Sequence, residues 1–455
     1  MDLFVSASAV SAPPSNDLRD PAWPPPSRRQ VVLLLIGALA VLFARAPRLL
    51  LEGRVYAEEG TTYLRYAWSA TPVRALLAPH QGYYSLLDNL SALIAARVLP
   101  LSAAALFFSW VAAAVQLLLV FLIIECEALR TARERCLAAF AVLLVTPNLE
   151  TWLSLENCQS ILAVATAVIL VSSTRRLFAL RTATLALGAL TSLAPVPLIP
   201  LFWLRAWKQR SRRAVIFALS LTLPALMQSW VLLHAMRAGA RAVSTHQLRS
   251  LFAYTTSRVL VLPFTTGRGA QYYDAFLFAH NSPGWTLAFS VAACLPVIAG
   301  FLLFSRTSRA ALLLYLSALL SSAFDWYGCP VCTYDLLLYT VGGQGRYFFP
   351  ANCMLLLALL LAAMRVSPRW LARTAGVAFT WLLLAGTFHY LRMRPVLNDY
   401  PAWLPQVRRW QADEHQPIVI APRGWTPLRL PRQHLNRTDL PADAYDSYTR
   451  HPLRD

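Results

Sequence analysis

Lysine is almost absent from this chain. Lys208 stands alone, so the 41 basic residues that outweigh 22 carboxylates and set a formal charge of +19 are nearly all arginine. Those arginines punctuate apolar runs instead of clustering in a polar domain with interleaved aromatics, which argues against a nucleic-acid-binding module. A cleavable leader is not expected either: the first thirty residues are polar and proline-rich (Pro13, Pro14, Pro21, Pro24, Pro25, Pro26) up to Arg28-Arg29. No internal repeat is visible. Cysteine is sparse, and Cys126, Cys136, Cys158, Cys294 and Cys353 lie in or beside apolar runs, where a small polarizable side chain packs. Only Cys329-Pro-Val-Cys332 has motif spacing. It lacks the strand and helix pattern of a thioredoxin domain and two further zinc ligands, so a disulfide between Cys329 and Cys332 on an oxidising face is the expectation.

What the chain has in abundance is apolar sequence: 57% of its residues are hydrophobic and the mean hydropathy is +0.48, beyond what a globular surface tolerates. Apolar windows lie at 31–50, 101–124, 136–147, 156–173, 182–196, 197–207, 214–236, 285–304, 309–324, 347–364 and 370–390. The expected fold is therefore an all-α polytopic membrane protein with about eleven crossings, between nine and thirteen. The windows at 136–147 and 182–207 are short or broken by Pro195, Pro197 and Pro200, and the broken pair could make one crossing or two. This divides the chain into a disordered cytoplasmic tail (1–30), a transmembrane domain (31–390) and a small extracytoplasmic segment (391–455). That last segment, with Ile418-Val419-Ile420 and Leu428 to Leu430 flanking Pro-Arg-Gly-Trp, reads as a short hairpin packed over outer loops.

With the amino terminus in the cytoplasm, the arginine clusters at 130–135, 175–181, 205–213, 306–309 and 365–373 all land in short inner loops, as the positive-inside rule prefers. Glu58, Glu59, His80, Asp88, Glu150, Glu156, Asp274, Asp325, Asp335 and Arg346 then share the outer side. The first outer loop, 52–100, contains an amphipathic helix with Leu86, Leu87, Leu90, Leu93 and Ile94 on one stripe, expected to lie along the interface. Two further outer loops, 237–284 and 325–346, show no structure of their own.

Three clusters could carry chemistry. In Tyr56-Ala-Glu58-Glu59-Gly60 either glutamate could act as the base for a sugar hydroxyl, with burial tuning its pKa upward; the plainer alternative is a hydrated carboxylate among arginines 45, 48, 54 and 65. Glu156, Asn157 and Gln159 offer donors and acceptors suited to sugar hydroxyls and Trp152 a flat apolar face, against helix capping by Asn148 or bonds across helices. In the third, Gly342-Gly343-Gln344-Gly345-Arg346-Tyr347, the guanidinium suits phosphate oxygens, unless Arg346 snorkels to headgroups above an aromatic belt of Tyr347, Phe348 and Phe349. It is not a nucleotide-binding loop, for it lacks the lysine-serine/threonine ending. His80-Gln81-Gly-Tyr83-Tyr84 adds a histidine that could contact phosphate and tyrosines suited to headgroup depth.

The order of these parts, an acidic first loop (AEEG), HQGYYSLL before an interfacial helix, NLETWLSLENCQ after the third window and GRYFFP opening a late helix, resembles the GT-C class of polytopic glycosyltransferases. Protein O-mannosyltransferases and lipid A aminoarabinose transferases are members of that class. The resemblance covers roughly 30–390. It implies transfer of a sugar from a polyprenyl-phosphate donor to an extracytoplasmic lipid, glycan or protein, in a bacterial-type plasma membrane. By that likeness Glu58 or Glu59 is the base, Glu156 a second acid, and Arg346 or His80 a holder of the donor phosphate, with Gln81, Tyr84, Asn157, Gln159, Trp152 and Tyr347 around the substrate. No metal is obligatory, although Glu58, Glu59 and Glu156 could hold one hard divalent cation. The expected partners are membrane lipid and the lipid-linked sugar, with no nucleic acid. The class's usual Asp-Asp or Glu-Asp pair is Glu-Glu here, and its large soluble carboxyl-terminal domains are missing. A transporter or flippase for lipid-linked sugars is the chief alternative, and a non-catalytic factor in envelope polysaccharide assembly a third.

Overall fold

A computed structural model describes residues 25–146, 148–238, 251, 255–279, 283–328 and 345–440. The described residues are mostly helical (74%) with almost no strand. Local sequence accounts for several helix starts. Ser27 and Gln30 cap one another reciprocally to begin Arg28–Arg45, Pro47 sits in the first turn of Pro47–Leu51, and Thr131 accepts the Glu134 amide at 3.1 Å to begin Ala132–Leu144.

Among the described residues, four helices are long and apolar enough to cross a membrane: Leu101–Ile124, Arg212–Arg237, Arg346–Arg365 and Arg369–Arg392. Cys158–Val171 and Phe178–Thr191 are apolar but shorter, whereas Pro283–Thr307 runs for 25 residues. The expected count of about eleven crossings is not confirmed: the 14 residues of Cys158–Val171, for example, rise only about 21 Å against a hydrocarbon core of about 30 Å. The proline-rich stretch resolves into two helices, Phe178–Thr191 and Ile199–Gln209, joined through a tight turn at Val196–Leu198. Segment 237–284, expected to lack structure, instead contains Thr256–Val261 and Leu262–Ala279. Its glycines and polar residues (Gly267, Arg268, Gly269, Gln271, Asp274) dilute the hydropathy and conceal the helix.

Cys158–Val171 lies at the centre, with every residue from Ser160 to Leu170 buried. It packs against Ala104–Ile124, Arg309–Gly328 and Gly345–Arg365. Burial grades outward: 83% of the apolar window in Arg346–Arg365 is enclosed, but only 28% in Arg212–Arg237 and 22% in Arg369–Arg392. On the outer pair, Leu219, Leu223, Leu226, Trp230 and Leu233, and likewise Val377, Trp381, Leu384, Phe388 and Leu391, stand exposed at helical spacing. Stripes of that size are unfavourable in water and compatible with a membrane protein.

The bundle has two polar ends. At one, arginines close helix ends and link loops: Arg181 (0% exposed) donates to Ser173 O, Arg176 O and Glu125 O and pairs with Glu127 at 3.1 Å, Arg205 takes the last carbonyls of Cys158–Val171, and Arg365 pairs with Glu134 at 3.0 Å. At the other end lies the first loop. There the Leu86–Arg97 helix forms as its sequence suggests, but it buries Asp88, Asn89, Ser91, Ala92, Ala95 and Ala96 and leaves Leu90 exposed. Over this loop packs the carboxyl-terminal segment. Ile418 and Leu428 exchange backbone bonds of 2.9 and 2.8 Å, Ala421 pairs on both sides with Val55 and Ala57 (3.0 and 2.6 Å), and Arg437 N–H reaches Ser69 O at 2.9 Å.

Candidate functional site

The turn carrying the glutamate pair is built from both directions. Ala57 has φ +45°, a left-handed conformation that costs a non-glycine residue about 1 kcal/mol. The flanking bonds to Ala421 hold it there. Beyond it the chain enters the wide turn Glu59–Leu64, which sets Glu58 and Glu59 in different surroundings.

Glu59 is 1% exposed and fully engaged. Its Oε2 accepts the Tyr56 amide at 2.7 Å, and its Oε1 accepts Leu155 N at 2.7 Å, Ser154 Oγ at 3.0 Å and Glu156 N at 3.3 Å. One carboxylate thereby joins the first loop to the 148–157 segment. Burial raises its pKa, opposed by the Arg54 charge and by these hydrogen bonds. Arg54 is itself buried, stacks 4.6 Å above the Tyr56 ring and donates to Trp152 O at 3.2 Å.

Glu58 is half-buried and accepts Gln81 Nε2 at 3.3 Å. Gln81 and Gly82, both left-handed at φ +52° and +79°, are the two central residues of a tight hairpin joining Pro79–His80 to Tyr83–Tyr84. Glu58 also lies against Glu156, which is 2% exposed. Burial first, and then the Glu58 carboxylate, push the Glu156 pKa well up, with Arg346 pulling the other way. Glu156 Oε1 accepts Arg346 Nη1 at 2.8 Å, while its buried Oε2 meets no donor. Asp88 is the third buried acid of this end; it accepts the Ser85 hydroxyl, and burial followed by the charges of Glu59 and Glu58 raises its pKa to about 8.

Arg346 opens the Gly345–Arg365 helix and keeps 20% of its side chain exposed. Besides Glu156 it reaches Asn157 Oδ1 and Tyr347 Oη, both at 3.4 Å, and its backbone amide donates to Glu150 at 3.3 Å. Asn157, immediately before Cys158–Val171, uses its amide on Glu150 O and Ser154 Oγ, each at 3.0 Å. Ser160 Oγ closes the arrangement on Arg346 O at 2.9 Å. Comparison with protein-family models, curated proteins and solved structures finds no match. The geometry therefore has to speak for itself: Glu58, Gln81, Glu156, Asn157 and Arg346 come together from four separated stretches of chain.

Other candidates stand apart. Trp152 is 2% exposed, its ring covered by the Arg45 guanidinium at 4.3 Å and edged by Tyr390 at 5.7 Å, which leaves no face for a sugar. Tyr84 is held by Gln228, which bonds its amide at 2.8 Å and its carbonyl at 2.6 Å, and its hydroxyl turns to Leu76 O. His80, 1% exposed, packs between Tyr63 and Tyr66 at about 5 Å from each ring. Gln159 is half-buried in the first turn of its helix, whereas Tyr347 does touch the site through Arg346 and packs on beside Leu262, Trp326 and Phe348. Cys329, Cys332 and the glycines at 342 and 343 lie outside the described residues. Among the described residues no group of three His, Cys, Asp or Glu side chains could hold a metal ion. For Glu59 the reason is visible, since both oxygens already accept N–H or O–H donors.

Ser154 belongs to this end and no sequence feature marks it, while Asp88 is named only as one of the outer-side acids and Arg54 only as a neighbour of the glutamate pair. Asp88 left one trace: Ser85-Leu-Leu-Asp88 has helix-start spacing. Its burial follows from the packing of the whole helix.

Proposed function

We propose that the protein is a membrane glycosyltransferase of the GT-C kind, using a polyprenyl-phosphate sugar and an extracytoplasmic hydroxyl acceptor at the polar end that carries Glu58. The observation that supports this most is the division of labour in the glutamate pair: Glu59 has four donors and no capacity left, whereas Glu58 is partly open, steadied by Gln81 and set against Glu156. Glu58 is the base. It removes the acceptor hydroxyl proton as that oxygen bonds to the sugar carbon; the bond from this carbon to the phosphate oxygen breaks, and polyprenyl phosphate departs with the electron pair. Glu156, pushed up by burial and then by Glu58, holds a proton in this reading, so the two carboxyls do not repel as full charges. Arg346, with Nε lacking a partner and part of its side chain open, offsets charge on the leaving phosphate.

Glu58→Gln tests this in membranes supplied with polyprenyl-linked sugar, with products read by mass. Transfer is expected to fall by about 10²-fold or more at unchanged expression. Full activity would remove Glu58 from the reaction. A flippase would instead move lipid-linked sugar between liposome leaflets without forming product.

A further inference from the structure

Arg45 ends the Arg28–Arg45 helix and is wholly enclosed (0% exposed). Its Nη1 donates to Asn148 Oδ1 at 2.9 Å, and its guanidinium lies 4.3 Å from the centre of the Trp152 ring and 5.0 Å from that of Tyr390. Nε and Nη2 have no hydrogen-bond partner, and Arg45 forms no ion pair among the described residues. The contrast with Arg181 is direct, for that equally buried arginine has Glu127 and three carbonyls. Aromatic faces offset about 2 kcal/mol of a buried cation's cost, short of the several kcal/mol that desolvation takes. Nε and Nη2 are moreover one edge of the planar guanidinium, where two N–H bonds run parallel. That edge is the fork that grips two oxygens of a single oxyanion. In the same packed region Trp152 Nε1 and His389 Nε2 also have no partner.

We propose that Arg45 is an oxyanion-binding position that takes a phosphate group on its Nε–Nη2 edge, with Asn148 and the Trp152 and Tyr390 rings fixing the guanidinium plane. The proposal is independent of the glycosyltransferase reading, because Arg346 and not Arg45 faces Glu156. The phosphate comes either from a lipid headgroup or from free phosphate, and the test separates them.

The test is thermal unfolding of the full-length protein in neutral detergent, titrated with inorganic phosphate or with dodecyl phosphate. Wild type should gain stability saturably. Compared in an Arg346→Gln background, which removes the phosphate contact proposed for the sugar donor, Arg45→Gln should need about tenfold more ligand or worse for the loss of two charge-assisted bonds. Arg45→Lys keeps the charge without the fork; it should also bind more weakly and carries the comparison if Arg45→Gln does not fold. A response to inorganic phosphate assigns a free anion, and one to dodecyl phosphate alone a lipid headgroup. Either no response in wild type or an equal response in the Arg45 variants overturns the proposal.

Discussion

Replacing Glu59 by glutamine separates a structural carboxylate from the one proposed to react. A carboxylate is the side chain whose two oxygens both only accept, and Glu59 uses both: Oε2 for Tyr56 N–H at 2.7 Å and Oε1 for three donors from Ser154 to Glu156. A glutamine can keep one of these sets. Whichever way its amide turns, an NH2 group faces a buried N–H, so at least one charge-assisted bond becomes a donor opposite a donor. That loss is worth about 2 kcal/mol. Hydrogen exchange read by mass on the peptides spanning 54–60 and 152–158 gives the local opening free energy, and about 2 kcal/mol appears as roughly thirty-fold faster exchange. Glu58→Gln keeps an oxygen for the 3.3 Å bond from Gln81 and gains an NH2 that can donate to Glu156, so it should leave both peptides near wild type while transfer falls by about 10²-fold. If Glu59→Gln exchanges like wild type in both peptides, the assignment of Glu59 as the joint between the two loops is wrong.

Two further perturbations have definite signs. The folded-state pKa of Asp88, about 8, lies above its ordinary value of 3.8, so the native state holds a proton that the unfolded chain releases. Stability from this group is complete below about pH 4 and lost as pH rises toward 8, by up to about 1.4 kcal/mol per pH unit. Asp88→Asn should flatten the unfolding midpoint between pH 5 and 9, and an unchanged slope would refute the assignment. At Gly386 a Cβ would lie 2.0 Å from Leu144 O, and a backbone carbonyl cannot yield as a side-chain tip can. Gly386→Ala should cost about 3 kcal/mol or prevent folding, whereas Gly376→Ala, whose nearest neighbour is 3.7 Å away, should be silent; equal melting of both variants would sink the close-approach argument.

The helices were legible because hydrophobicity is a local property: each apolar window falls on a helix. The number of crossings was not, since a run as short as Cys158–Val171 reads as apolar whether it spans a bilayer or fills a core. The Leu262–Ala279 helix was hidden for the opposite reason, its glycines and polar residues lowering the mean. For the site, sequence could name Glu58, Glu156 and Arg346 as unusual but not distinguish Glu58 from Glu59. That distinction comes from Ser154 and Leu155, almost one hundred residues away, and no spacing rule carries such a contact. Trp152 misled because an aromatic beside polar residues looks alike whether a sugar or an arginine covers it.

The placement of Glu156 illustrates how the end of the bundle acts as one unit. Three charged side chains from the first loop region grip the 148–157 segment: Arg45 through Asn148, Arg54 through Trp152 O, and Glu59 through the amides of Leu155 and Glu156. From the other side Arg346 takes the Glu156 carboxyl. The first loop is in turn fixed by Ala421 on either side of Tyr56 and by Ile420, whose side chain lies where a Cβ on Gly60 would come within 3.0 Å. Because the Glu58–Glu156 contact closes this circuit, its geometry depends on pieces separated by up to about 360 residues, and none of them acts through local propensity. A site of this kind is selected by long-range packing, so the short carboxyl-terminal segment, which contributes no acid to the pair, belongs to the same structural unit as the residues that do.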